Sequence, residues 1–186
     1  MNKPRKHCNS ASRSDSSGTA RRRVTMAAVC AAIVTAACLI RATSSEPWSI
    51  ALPDDYRSWT HVKSGLIDDP AHPAFATTGG LHHIYANALA MRGYDEAVFP
   101  DGSVLVYDLH ELRELADGSV DQGPRRHVDV MVKDARRFAS TGGWGYQEFK
   151  AGDLKKPALT PRIQSICAAC HLKDGRHDHV FSEYRK

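Results

Sequence analysis

Past residue 42 the chain is poor in cysteine. Of five in all, Cys8, Cys30 and Cys38 lie near the N-terminus, which leaves only Cys167 and Cys170. One pair of thiols three residues apart cannot staple a small exported domain, so a disulfide scaffold is excluded. Hydrophobic runs are short as well: Val24 to Ile40, the uncharged stretch, is seventeen residues, at the lower limit for a membrane span. No Lys/Arg face recurs beyond the N-terminal segment. Residues 1–42 carry eight Lys/Arg against one acid, +7 where the whole chain is +4, so residues 43–186 stand at −3. The basicity belongs to that segment and is no footprint for nucleic acid. Long apolar stripes of 3.6-residue period are missing too, which excludes a four-helix bundle.

The N-terminal segment reads as an address. Arg21-Arg22-Arg23 precedes the uncharged run, the charged-then-apolar order of an export signal. Left uncleaved, residues 24–40 would be a membrane anchor and the only expected membrane contact. The expected organisation is an export signal or anchor over residues 1–42 and one domain over 43–186, delivered to the periplasm.

The chemistry concentrates in Cys167-Ala168-Ala169-Cys170-His171. Cysteines three apart share one face of a helical turn. From there both sulfurs can form thioethers to the two vinyl groups of one haem, with His171 next in line for the iron. C-x-x-C-H is the attachment signature of c-type haem. Two other uses of the thiols stand beside it. Zinc would recruit His177 and His179, at a spacing outside C-x2-C…H-x3-5-H. A redox dithiol wants a βαβ context, and none precedes it. Covalent haem attachment takes place outside the bacterial cytoplasm, which agrees with an export signal.

Between the two ends, short β-rich runs alternate with turns. Asp54 reads as the cap of a helical turn bearing Tyr56 and Trp59. Thr60 to Ser64 is a first strand. Residues 65–80, with Asp69-Pro70, His72-Pro73 and Gly79-Gly80, form a loop. Leu81 to Ala86 is a strand, and Asn87 caps a helix to Arg92 that Gly93 stops. A turn at Phe99 to Gly102 leads into a strand from Ser103, reaching about Leu115, with further turns at Asp117-Gly118 and Gly123-Pro124. His127 to Val132 alternates with period two. Asp134 caps a short helix to Ser140, Gly142-Gly143 breaks it, and Trp144 to Phe149 is another strand. A helix from about Arg162 to His171 carries the haem-attachment motif. The pattern predicts an α+β fold, mainly antiparallel β-sheet with a few short helices.

Tyr56-Arg57-Ser58-Trp59, His82-His83-Ile84-Tyr85-Ala86-Asn87, Phe99-Pro100-Asp101-Gly102-Ser103-Val104, Val130-Met131-Val132-Lys133-Asp134 with Arg137-Phe138-Ala139, and the terminal C-x-x-C-H occur in an order that resembles the cytochrome P-460 family, over roughly residues 48–182. That family includes cytochrome P-460 proper and the cytochromes c′-beta. The resemblance implies a largely β haem protein, often dimeric, with one covalent haem c, His171 as proximal ligand and an open distal face for small nitrogen species. Cytochrome P-460 proper oxidises hydroxylamine and has a lysine cross-linked to the haem. Here His82 stands at the matching position, and there is no lysine from residue 64 to 132. The resemblance also implies Asp108 as a proton relay and Arg57 as an arginine near the haem.

His82 and His83 point to opposite faces of a strand, so at most one faces the haem. A distal His82 would donate a hydrogen bond to an iron-bound ligand, or exchange a proton near neutral pH. His61, His72, His110, His127, His177 and His179 read as solvated. Met91 and Met131 are possible sixth ligands, with core packing the better account of Met131. Three functions follow: capture of nitric oxide or a similar ligand; oxidation of hydroxylamine or nitric oxide, with Asp108 moving protons; and electron transfer by six-coordinate iron. The latter two need a redox partner protein, and the acidic domain suits a basic one.

Overall fold

A computed structural model describes residues 48–173 and 176–185, so the expectations placed on residues 1–42 lie outside the described residues. Five strands form one sheet in the order β1-β2-β3-β4-β5, each antiparallel to its neighbour. They are β1 (Thr60–Ile67), β2 (Gly80–Ala86), β3 (Val104–Glu114), β4 (Val120–Lys133) and β5 (Trp144–Lys150). Three short helices accompany them: α1 (Phe75–Thr78), α2 (Ala88–Glu96) and α3 (Pro161–His171). The predicted α+β class holds, with the last helix C-terminal to the sheet and packed on β5.

Local chemistry accounts for most element ends. Asn87 accepts from Ala90 N at 2.9 Å and caps α2. Thr160 caps α3, with Pro161 at its first position, where a missing N–H costs nothing. Four expectations need correction. The 3₁₀ turn Tyr56–Ser58 follows Asp55, not Asp54. The 65–80 loop is shorter, because β1 runs on to Ile67 and α1 fills part of the remainder. Asp134 accepts from Arg137 N at 2.8 Å, but only turns and the 3₁₀ segment Ala139–Thr141 follow.

The fourth concerns two glycines. Gly93 does not stop α2; the helix runs to Glu96 and ends on Ala97 in the left-handed region (φ 59°). A Cβ at Gly93 would run into the ring of Phe99, so the residue is there for packing. Gly123-Pro124 likewise lies inside β4. Residues before His127 pair only with β3, so the N–H that Pro124 lacks is not required by β5.

Alternation along the strands divides the side chains into two clusters, one on each face of the sheet. One face carries Val62, Ile84, Ala86, Leu105, Met131, Trp144 and Tyr146, and packs with Cys167, Ala168 and Val180 of the C-terminal segment. The opposite face carries Tyr85, Val106, Val128, Val130 and Phe149, and packs with Trp48, Ile50, Tyr56 and Phe138. The β3–β4 register fixes this division: Leu105 pairs with Met131, and Asp108 with Val128.

Gly93→Ala therefore tests packing against propensity. Alanine is the better helix former by about 1 kcal/mol. The collision with Phe99 outweighs it, and the variant should lose roughly 1–3 kcal/mol in urea unfolding.

Candidate functional site

Cys167 and Cys170 are free thiols one helical turn apart on α3. Cys167 is half-buried and packs with the first cluster; Cys170 is exposed. His171 follows at the end of the helix. Its Nδ1 lies 2.9 Å from the carbonyl oxygen of His179, which makes Nδ1 the protonated nitrogen and leaves Nε2 its lone pair. The Tyr146 ring stands 5.0 Å from the imidazole, and Phe181 stands 4.5 Å from it. The Tyr146 hydroxyl is buried without a partner, and the nearby thiols and Asp178 add to burial in raising its pKa. A cavity of about 520 Å³ opens here, lined by Val62, Lys63, Ser64, Phe181, Glu183 and Arg185.

The segment that meets His171 is strained. His177, Asp178 and His179 have φ of 46°, 55° and 67°, the left-handed region that non-glycine residues avoid. Each such residue costs on the order of 1 kcal/mol. The Asp178 carboxylate accepts from Lys133 Nζ at 2.8 Å and from Phe99 N at 3.1 Å, and its carbonyl accepts from Trp144 Nε1 at 2.8 Å.

The sheet face behind Cys167 bears further polar groups. His82 stacks on Tyr107 at 4.6 Å and fits because Gly65 opposite it has no side chain. Burial, with smaller contributions from Lys63 and His83, lowers the His82 pKa to about 4. It is therefore neutral at pH 7, the form with one ring nitrogen to donate a hydrogen bond and one to accept. Asp129 and Glu148 pair across β4 and β5 on the same face, two residues from Met131 and Tyr146. With His127 they bring three ligand-type atoms within 4.8 Å of one another. His127 Nε2 lies 3.4 Å from Asp129, and Lys150 Nζ lies 2.6 Å from Glu148. Burial raises the Asp129 pKa against the pull of His127. Burial raises the Cys167 thiol too, and the charges of Asp129 and Glu148 push it further.

Asp108 and Arg57 meet, but on the far side of the sheet. The register sets His82 opposite Leu109 and Asp108 opposite His83, so Asp108 belongs with Val106 and Val128. Strand alternation thus turns Asp108 to the face of the sheet opposite Cys167. The Asp108 carboxylate is fully buried and accepts from Tyr56 OH at 2.8 Å, Arg57 at 2.7 Å and Arg125 Nε at 2.6 Å, with His110 Nε2 at 3.1 Å. Burial raises its pKa, but the hydrogen bonds from Arg125, Arg57 and Tyr56 outweigh this and hold it at about 2. A carboxylate held that low carries no proton at neutral pH. His110 and His127, expected in solvent, are only 3% and 7% exposed.

A family profile, Cytochrome P460, matches residues 53–182. The chain belongs to the cytochrome P460 family. No curated protein matches it. Membership makes it a haem protein, with iron, of the P460 or cytochrome c′-beta kind. The residues fit that cofactor. A raised Cys167 thiol is unlike a redox dithiol, whose reactive cysteine is acidic. The antiparallel sheet supplies no βαβ unit. Among the described residues the thiols do not converge with His177 and His179, as zinc would require. The Tyr146 hydroxyl, orphaned beside both cysteines, is what a site shaped for a polar group of a bound cofactor would leave.

Several members of these side-chain clusters are not visible in strand-by-strand reading. Asp129 and His127 share a face by their i, i+2 spacing, but Glu148 joins them only through the β4–β5 register. Arg125 reaches Asp108 from another strand, and Asp178 comes from the polar tail.

Asp108→Ala, which removes the carboxylate shared by Arg57 and Arg125 while both arginines keep access to water, should cost ~1.5–3 kcal/mol. The sign of the pH dependence follows from the lowered pKa. Stability from the ionised Asp108 is complete above its ordinary 3.8 and is lost as pH falls toward about 2. The stability gap between the parent and Asp108→Asn should therefore be level from pH 5 to 7 and narrow below pH 4, measured by urea unfolding at each pH.

Proposed function

We propose that this chain is an exported mono-haem c-type cytochrome that binds nitric oxide or a similar small nitrogen-oxide ligand at an open iron position. Cys167 and Cys170 hold the haem through thioethers and His171 is the proximal ligand. One observation carries the reading: the Nδ1–H of His171, the residue after Cys170, is committed to the His179 carbonyl, which makes Nε2 the nitrogen that would meet iron. Haem held there would supply an iron able to bind a diatomic ligand. The protein orients the imidazole, buries one thiol and supplies apolar surface from Phe181 and Val62. A neutral His82 on the same sheet face is available as a hydrogen-bonding group. Export to the periplasm rests on the residue 1–40 pattern and on where haem attachment occurs, and a homodimer rests on the family.

A second reading, oxidation of hydroxylamine or nitric oxide, is favoured by Asp129, Glu148 and His127. These acids share the sheet face with Cys167, and the raised pKa of Asp129 suits a group that takes up a proton. Lys63 lines the cavity next to Phe181 and would be the lysine to bond a haem there in place of His82. A redox partner protein would then accept the electrons.

The ferrous spectrum of the haem-loaded protein before and after nitric oxide separates these readings. A high-spin spectrum that responds to nitric oxide, with one haem retained in the denatured chain and lost in Cys167→Ala/Cys170→Ala, is the expected result. A strongly red-shifted Soret band with a Lys63–haem peptide on mass analysis would put the oxidase first. A low-spin spectrum indifferent to nitric oxide would leave electron transfer. If the oxidase reading holds, Asp129→Asn should slow hydroxylamine oxidation ~10²–10⁴-fold while nitric oxide binding persists.

A further inference from the structure

We propose that Lys133 and Asp178 are positioning residues that tune the iron through His171, by holding residues 177–179 in a left-handed conformation that aims the His179 carbonyl at His171 Nδ1. Three consecutive non-glycine residues do not adopt positive φ unless contacts impose it. Here the contacts converge on the middle one. Both carboxylate oxygens of Asp178 are engaged, by Lys133 Nζ and by the backbone N–H of Phe99, and its carbonyl is engaged by the indole of Trp144. Lys133 is only 8% exposed and is itself oriented by the Gly142 carbonyl at 3.2 Å and the Trp144 ring at 5.1 Å. Gly142 lets His179 pack closely, since a Cβ there would come within 3.1 Å of its ring.

The clamp therefore spans β4, β5 and the C-terminal segment, and its output is one hydrogen-bond acceptor. The acceptor is the backbone carbonyl of residue 179, so its position depends on the backbone at 177–179 and not on a side-chain rotamer. A strong acceptor at Nδ1 makes Nε2 a more electron-rich ligand and stabilises the oxidised iron. Releasing the clamp lets the backbone leave the left-handed region and weakens that hydrogen bond. The inference rests on His171 being the iron ligand.

The test uses haem-loaded full-length protein. Lys133→Met and Asp178→Ala should raise the reduction potential and lower the iron–histidine stretching frequency of the ferrous protein; Lys133→Arg should restore both toward the parent values. Trp144→Phe, which removes one donor to the Asp178 carbonyl, should move both in the same direction by less, and it carries the test if Asp178→Ala does not fold. Folded variants that lose urea resistance with unchanged potential and stretching frequency would overturn the proposal by making the clamp purely structural. If His171→Ala leaves the iron's spectrum and potential unchanged, the ligand assignment fails and this proposal with it. If His171→Ala changes both and the clamp variants do not, this proposal alone fails.

Discussion

The pairing of β3 with β4 decides which side chains can meet. Side chains alternate along a strand, so a register of Leu105 with Met131 and Asp108 with Val128 sends each residue to one face. Slipping β4 by one residue against β3 would bury Asp129 among Val106, Phe138 and Phe149 and turn Val128 and Val130 to the side of Cys167. Hydrophobic burial makes that slip costly. Val106, Val128 and Val130 are essentially inaccessible, and burying a side chain of this size contributes roughly 1.5–3 kcal/mol.

That division separates two charge systems with different physics. On the far face, Asp108 is enclosed by Tyr56, Arg57 and Arg125 and stays ionised, which ties the N-terminal 3₁₀ turn to the middle of the sheet. It behaves as a structural ion cluster. On the near face, Asp129 and Glu148 sit close together beside a buried thiol, and the Asp129 proton affinity is raised. The two arrangements therefore differ in charge state as well as in face, and register, not the apolar setting of a single strand, decides which acid stands beside Cys167.

Much of the fold was legible because local chemistry is local. The strand cores around residues 81–86, 103–109, 127–132 and 144–149 alternate or run apolar, Asn87 announces α2, and Pro161 lies at the start of α3. The misread elements fail where a distant residue overrides a local preference: Phe99 requires Gly93 inside a helix, and the end of β5 permits Pro124 inside a strand. His110 and His127 look like surface histidines until the sheet covers them.

By itself the sequence determined the haem-attachment motif, the α+β class and the family, since each rests on residue identities at short spacing or in fixed order. Tertiary structure decided which face each acid takes, how His82 is kept neutral, and what holds His171. Those outcomes depend on register and on contacts such as Lys133–Asp178, which join residues forty-five positions apart. Pairing at that distance is set by the packing of the whole sheet, and no local pattern records it.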